Sequence, residues 1–218
     1  MASFATLVLD LDGTLVDSLP DLSAAINRLM TAQGLPGLAP ETIRPMIGDG
    51  TAKLVERAFA ARGRTSQPRD LEAFIADYTA HVAVATRPYP DVDATLGTLK
   101  SAGWRFAICT NKTVAATKSL LGALGLAHWF AAVGGGDSFP VRKPDPAHLL
   151  GTLKAADGSA ARAIMVGDHA NDIAAATGAH IPSIFAAWGY GAPAMARSAS
   201  AIADRFADLA RLAPSLLP

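Results

Sequence analysis

The chain of 218 residues is long enough for one large domain, or for a core with a smaller insert, and it can bury an ample hydrophobic core. Its 19 Lys plus Arg are balanced by 19 Asp plus Glu. No global field is left to attract a polyanion, so nucleic acid is not an expected partner. No apolar stretch approaches the roughly 20 residues of a membrane-spanning helix, so no membrane partner is expected either. Oligomeric state is not predicted.

The cysteine content and the first residues of the chain indicate the expected cellular compartment. Cys109 is the single cysteine and cannot form an internal disulfide, which is typical of a reducing compartment. The first apolar run, residues 4–9, is interrupted by Asp10 and lacks a preceding positive cluster, so we do not interpret it as a signal peptide. These features predict a cytoplasmic protein.

Short apolar runs predict five buried strands, because each run is too short for a helix and most contain β-branched residues. In chain order they span residues 6–9, 105–109, 131–133, 163–166 and 183–186, of which 131–133 has the weakest pattern. Helical spacing of apolar residues lies between them, for example before Gly103 and before Gly125. Continuous apolar strands alternating with helices predict an α/β fold with a doubly wound, Rossmann-like parallel sheet.

Residues 16–84 break this alternation. They carry apolar residues at helical spacing, such as Leu19, Leu22 and Ile26, without a convincing strand. We therefore predict a small helical cap domain at 16–84, inserted after the first strand, and a catalytic core formed by 1–15 and 85–218. The prolines of residues 87–91 favour an extended or turning link at the return to the core.

Polar residues follow three of the predicted strands, where a parallel sheet of this kind binds its ligands. They are Asp10, Asp12, Thr110, Asn111, Asp168 and Asp172. Carboxylates gathered at one edge repel each other, and a divalent cation removes that conflict. Oxygen donors without thiolates or paired histidines favour a hard ion, and Mg²⁺ is the natural candidate.

Four segments in this order resemble the motifs of the haloacid dehalogenase superfamily, in particular its phosphoglycolate phosphatase-like branch. The segments are Asp10-Leu11-Asp12-Gly13-Thr14, Thr110-Asn111-Lys112, Arg142-Lys143-Pro144-Asp145-Pro146 and Gly167-Asp168-His169-Ala170-Asn171-Asp172. Further branch-like segments are Ile47-Gly48-Asp49-Gly50 and Trp188-Gly189-Tyr190. The resemblance covers nearly the whole chain and implies a Mg²⁺-dependent phosphatase that acts on a small phosphate monoester, with 2-phosphoglycolate as the expected substrate.

The resemblance also implies a role for each matching residue. Asp10 is the expected nucleophile and Asp12 the general acid and base. Thr110, Asn111 and Lys143 are expected to bind the substrate phosphate. Asp10, the Asp12 carbonyl and Asp168 are the expected metal ligands, with Asp172 as either a direct ligand or an outer-shell partner.

Within the predicted cap, a glycolate leaving group needs a partner for its carboxylate. The candidates are Arg44, Lys53 and the backbone amides around Gly48 and Gly50. Two alternatives stay open at this point. One is another enzyme of the superfamily: a sugar phosphate phosphatase, a phosphomutase, or a phosphonate hydrolase that uses Lys53 as a Schiff-base former. The other is a non-catalytic binding protein on the same fold.

Overall fold

The computed structural model describes residues 4–217, which contain eight strands and nine α-helices. The strands are β1 (Ala5–Leu9), β2 (Val16–Asp17), β3 (Arg87–Pro88), β4 (Trp104–Cys109), β5 (Phe130–Gly134), β6 (Ala163–Gly167), β7 (Ser183–Ala186) and β8 (Ala201–Ala203). The helices are α1 (Leu19–Ala32), α2 (Pro40–Ile43), α3 (Thr51–Ala60), α4 (Pro68–Ala80), α5 (Val92–Ser101), α6 (Val114–Ala123), α7 (Pro146–Ala155), α8 (Ala170–Gly178) and α9 (Leu209–Ser215). Among these, no helix has both the length and the hydropathy needed to cross a membrane.

Six strands form one parallel sheet in the order β5-β4-β1-β6-β7-β8. Every residue of β1 is buried, because helices cover both faces of the sheet. Leu7 packs with residues of α5, α6 and α9, whereas its neighbour Val8 packs with residues of α7 and α8. Successive side chains of a strand point to opposite faces, so one apolar run supplies both halves of the core.

The predicted α/β class and its five strands are confirmed, with strand ends that differ by at most one residue. The short strand β8 was not predicted because its three residues carry no distinctive pattern. Nor was the pairing of β2 with β3, whose partners Val16 and Pro88 lie far apart in sequence.

Helices α1 to α4 lie between β2 and β3 and pack around an apolar cluster of their own, which includes Ile26, Val55 and Phe74. Asp21, in the first turn of α1, ties this helical unit to its return segment. Its carboxylate accepts hydrogen bonds from the backbone N–H groups of Ala85 and Thr86, at 2.9 and 2.8 Å. The unit thus leaves and rejoins the sheet at neighbouring points, beside the end of β1.

Candidate active site

The carboxyl ends of β1 and β6 bring three carboxylates together. Asp10 follows β1, Asp168 follows β6, and Asp172 lies in the first turn of α8. All three side chains are buried, and each offers an oxygen atom within 4.8 Å of the other two. Parallel neighbours end at the same edge of a sheet, which is why residues more than 150 positions apart meet here.

Lys143 lies between two of these carboxylates. Its Nζ is 2.9 Å from Asp10 Oδ1 and donates a hydrogen bond to Asp172 Oδ1 at 2.6 Å. Burial alone would lower the pKa of this lysine, but the two carboxylates outweigh it and raise the pKa above its ordinary value. Lys143 is therefore a fixed positive charge beside Asp10.

The loop that carries Lys143 is held by neighbouring polar groups. The backbone N–H of Lys143 donates to His148 Nδ1 at 3.2 Å, and its carbonyl accepts from Asn111 Nδ2 at 3.0 Å. His148 is buried and its Nε2 lies 3.0 Å from the carbonyl oxygen of Gly135. The lysine is thus positioned from both β4 and α7.

The carboxylate group fits a hard divalent cation. Asp10 Oδ1 is buried and forms an ion pair with Lys143 at 2.9 Å. Burial, followed by the charge of Asp10, raises the pKa of Asp168 to about 6, although Thr14 and the Tyr190 backbone donate to its two oxygens. A dication among these oxygens would stabilise their ionised forms, and the three carboxylates offer it ligand atoms within 4.8 Å of one another.

Both carboxylate oxygens of Asp172 already accept hydrogen bonds from neighbouring residues. Its Oδ1 accepts from Lys143, and its Oδ2 accepts from the backbone N–H of His169 at 3.0 Å. Burial raises the pKa of Asp172, while Lys143 acts in the opposite direction. With both oxygens engaged, Asp172 is suited to orient Lys143 and Asp10 from the outer shell.

Asp10 and Asp12 line one side of a cavity of about 30 Å³ at the same edge. Asp12 does not join the carboxylate cluster but forms an ion pair with Lys112, whose Nζ lies 3.0 and 2.8 Å from its two oxygens. Ser18 also donates a hydrogen bond to Asp12, at 2.6 Å. The two aspartates therefore have different surroundings: Asp10 faces Lys143, and Asp12 faces Lys112.

Thr110 and Asn111 also line this cavity, at the end of β4. Thr110 Oγ1 accepts from the backbone N–H of Lys112 at 3.3 Å, which leaves its own O–H available to donate. The amide of Asn111 is engaged already, because it donates to the carbonyls of Gly48 and Lys143. Asn111 thus links the helical unit to the lysine loop.

Of the predicted cap residues, the structure brings the glycines to the cavity and not the cations. Gly48 and Gly50 line it with φ values of +116° and +91°. A Cβ at Gly48 would stand 2.7 Å from the His169 ring, so only glycine permits this approach. Lys53 instead pairs with Glu56 on the surface, with 46% of its side chain exposed.

Arg44, the other predicted cap cation, lies on the exposed side of the helical unit, with its guanidinium 5.8 Å from the centre of the Tyr190 ring. Lys112 occupies the cavity instead, and it is the one Lys or Arg among the lining residues that the structure describes. Its place directly after Thr110-Asn111 was the available signal, but sequence did not indicate that its side chain is buried.

Two contacts of site residues were also not predicted. Asn171 donates to Asp49 Oδ1 at 2.6 Å and so joins the core to the loop before α3. The Tyr190 hydroxyl accepts from the backbone N–H groups of Ser18 and Leu19, at 2.7 and 2.9 Å. Since the Tyr190 backbone also contacts Asp168, this residue connects the carboxylate cluster to the start of the helical unit.

A parallel sheet with these carboxylates and Lys143 at its carboxyl edge defines a hydrolase of the haloacid dehalogenase type. The model of the haloacid dehalogenase-like hydrolase family matches residues 4–180, and the chain belongs to this family.

Individual relatives of the chain carry more specific names than the family does. The chain is 41% identical to a phosphoglycolate phosphatase of Agrobacterium fabrum over 93% of its own length and 89% of the relative's. It is 37% identical to a phosphoglycolate phosphatase of Caulobacter vibrioides, over 98% and 92% of the two chains. Among solved structures, a predicted phosphoglycolate phosphatase from Haemophilus somnus superposes with a TM-score of 0.88 at 31% identity, covering 97% of this chain and 99% of that one.

Proposed function

We propose that the protein is a magnesium-dependent phosphatase that hydrolyses 2-phosphoglycolate to glycolate and phosphate through a phosphorylated Asp10. The observation that carries this proposal is the buried carboxylate of Asp10, which forms an ion pair with Lys143 at 2.9 Å and lines the cavity. The names of relatives 37 to 41% identical over nearly the whole chain support the substrate.

In the first step an Asp10 oxygen attacks phosphorus, and the bond from phosphorus to the leaving oxygen breaks. Asp12 must carry a proton in this step, and the negative charge of the substrate favours that form by competing for the ammonium of Lys112. Asp12 gives this proton to the leaving oxygen, so glycolate departs with a hydroxyl group. In the second step Asp12 takes a proton from water, which attacks the phosphoaspartate, and Asp10 is released with inorganic phosphate. Splitting the hydrolysis in this way replaces one difficult step by two easier transfers.

The surrounding groups stabilise the transferred phosphoryl group. Lys143 supplies a fixed charge, and Thr110 offers a free hydroxyl proton to an equatorial oxygen. Asp10, the Asp12 carbonyl and Asp168 would hold Mg²⁺, with Asp172 orienting the group from outside. When bound, Mg²⁺ would neutralise charge on a phosphate oxygen.

We assign residues 16–84 to a cap that closes over this edge of the sheet. The separate apolar cluster of α1 to α4 and the approach of Gly48 and Gly50 to Asn111 support this assignment. Lys53 on the outer surface gives no support to the Schiff-base chemistry of a phosphonate hydrolase.

Replacing Asp10 by Asn tests the nucleophile, because the volume is nearly kept while the attacking charge is lost. We expect Asp10→Asn to release no phosphate from 2-phosphoglycolate above background, with a circular dichroism spectrum like that of the wild type. Chelation with EDTA should abolish wild-type turnover, and Mg²⁺ should restore it.

Two results would contradict the proposal. Appreciable turnover by pure Asp10→Asn protein would exclude Asp10 as the nucleophile. Full wild-type activity after exhaustive chelation would exclude the metal. As a matched control, Asp77→Asn removes a surface carboxylate that pairs with Arg28, and it should leave turnover unchanged.

A further inference from the structure

A second small cavity adjoins the one beside Asp10 and Asp12. The two share Leu22, Thr51 and Lys112 as lining residues, and Tyr78 of α4 lines the second. Lys112 therefore stands between the acid-base residue and the helical unit. This junction is where a leaving group would emerge from the phosphate site.

Lys112 has an unusual environment for a lysine. Only 5% of its side chain is exposed, and its Nζ lies 4.7 Å from the centre of the Tyr78 ring. Two Nζ contacts go to the Asp12 oxygens, but an ammonium carries three N–H donors, and the third faces Tyr78. This third donor can turn to an anion that enters between Asp12 and Tyr78.

Two further donors converge on the same junction. The Tyr78 hydroxyl is buried, and within residues 4–217 its proton has no acceptor, since the neighbouring Lys112 can only donate to it. A buried O–H without an acceptor costs free energy, which a ligand that accepts its proton would recover. Thr51, which lines both cavities, begins the ten-residue helix α3, whose first N–H groups favour an anion.

The chemistry of the substrate fixes where such an anion must lie. Asp12 has to touch the leaving oxygen in order to protonate it, and in phosphoglycolate the carboxylate carbon is only two bonds away from that oxygen. A cation that binds this carboxylate must therefore be a neighbour of Asp12. Lys112 lies 2.8 Å from Asp12, whereas Lys53 pairs with Glu56 and Arg44 with the Tyr190 ring.

On this basis, which rests on the function proposed above, we propose that Lys112, the Tyr78 hydroxyl and the first N–H groups of α3 form the subsite for the carboxylate of the leaving group. Lys112 then determines specificity: it stays beside Asp12 and turns the donor that faces Tyr78 to the substrate carboxylate. A substrate without a carboxylate leaves the proton of the Tyr78 hydroxyl without an acceptor. Discrimination arises from this difference.

The test compares Lys112→Met with the wild type on 2-phosphoglycolate and on ethyl phosphate, which is similar in size but lacks the carboxylate. Loss of the contact between Lys112 and Asp12 lowers kcat/KM for both esters, so the ratio of the two values is the measured quantity. We expect the preference for phosphoglycolate to fall roughly 10- to 150-fold, as for one charge-assisted hydrogen bond. The matched control, Lys53→Met, removes an exposed lysine of the helical unit that pairs with Glu56 and should keep the wild-type ratio.

Inhibition gives a second readout that does not depend on turnover of the carboxylate substrate. With ethyl phosphate as the substrate, the wild type should bind 3-phosphonopropanoate more tightly than propylphosphonate, and Tyr78→Phe should lose part of that difference. Tyr78→Phe removes only the hydroxyl and keeps the ring. It therefore still tests the subsite if Lys112→Met does not fold.

The outcomes separate this inference from the function on which it rests. A wild type that prefers phosphoglycolate, with Lys112→Met and Tyr78→Phe both keeping the full preference, overturns the carboxylate subsite alone. A wild type that hydrolyses neither ester, or that shows no preference between them, overturns the proposed activity or its substrate, and the subsite with it.

Discussion

At the scale of single residues, Gly13 sets the position of a metal-ligand candidate. Its φ is +85°, and a Cβ there would stand 2.5 Å from Asp168 Oδ2 and 2.8 Å from the Tyr190 ring. The residue is thus constrained twice, by its backbone conformation and by the close approach of Asp168. Any side chain at this position must displace the carboxylate.

We expect Gly13→Ala to weaken metal binding. The left-handed backbone costs an alanine about 1 to 2 kcal/mol of folding free energy, and the displaced Asp168 should raise the Mg²⁺ concentration for half-maximal activity roughly 10- to 100-fold. Gly63→Ala is the matched control, since Gly63 has a φ of +66° and open space around it. It should show the stability loss alone. Equal Mg²⁺ requirements in the two variants would contradict this role for Gly13.

The sequence predicted the positions of single residues well where they directly follow a strand. Asp10, Thr110 and Asp168 stand at strand ends because the apolar runs before them are unambiguous. Lys112 and Arg44 show where prediction from the sequence fails, because their surroundings depend on tertiary contacts. A lysine in a polar segment is ordinarily solvated, and only tertiary packing against Tyr78 and Asp12 buries this one. Local pattern carries no information about such contacts.

At the scale of elements, α7 holds the lysine loop through its first turn. His148 connects this helix to Gly135 and to the Lys143 backbone, and its Nδ1 lies 3.7 Å from Cys109 Sγ on β4. Donation from Nε2 and acceptance at Nδ1 require the neutral imidazole. Burial, and then the charge of Lys143, lower the pKa of His148 below its ordinary value.

A pH dependence of stability follows from this lowered pKa. In the unfolded chain His148 becomes protonated as the pH falls below about 6.5, whereas in the folded protein it stays neutral to a lower pH. The stabilisation from neutral His148 is therefore complete above that pH and is lost as the pH falls toward the folded-state pKa. The stability difference between wild type and His148→Gln should shrink in this window by up to about 1.4 kcal/mol per pH unit.

Urea denaturation of both proteins between pH 8 and pH 5 measures this difference. The remaining titratable groups are common to both, so their contributions largely cancel in the subtraction. A difference that stays constant, or that grows on acidification, would show that His148 is not held neutral in the folded protein.

Helices and strands could be predicted from the sequence where a local pattern of apolar residues identifies them. The strands of the sheet core carry continuous apolar runs, but β2, β3 and β8 have two or three residues each and depend on their partners. The pairing of Val16 with Pro88 follows from the return of the chain after α4 and the anchoring of Thr86 by Asp21. No window of a few residues contains that information.

At the scale of the whole molecule, the helical unit meets the sheet edge through the loop of residues 48–50. Asn171 donates to Asp49, and Asn111 donates to the carbonyl of Gly48. Burial would raise the pKa of Asp49, but hydrogen bonds from Asn171 and Arg57 lower it below its ordinary value. These contacts join the proposed cap to the core beside the cavity, and we expect them to form only in a closed arrangement of the two.

We therefore expect Asn171→Ala to impair closure and not folding. The bond to the Asp49 carboxylate is charge-assisted, and its loss should lower kcat/KM for 2-phosphoglycolate roughly tenfold or more, mainly through KM. Hydrogen exchange should quicken in residues 84–88, where the chain returns to the sheet. The free energy of unfolding should change by less than about 1 kcal/mol, because Asn171 is partly exposed and contributes little to either apolar cluster.

Asn27→Ala is the control at this scale, because its amide bonds to the Leu38 backbone at 2.9 and 2.7 Å entirely within the helical unit. Losing both bonds should lower the free energy of unfolding by about 1 to 3 kcal/mol and leave KM near the wild-type value. The two variants then separate stability from closure. Asn27→Ala should unfold more easily and bind substrate normally, whereas Asn171→Ala should bind substrate poorly and keep its stability. A wild-type KM and unchanged exchange in Asn171→Ala would mean that the contact with Asp49 does not hold the cap closed over the substrate.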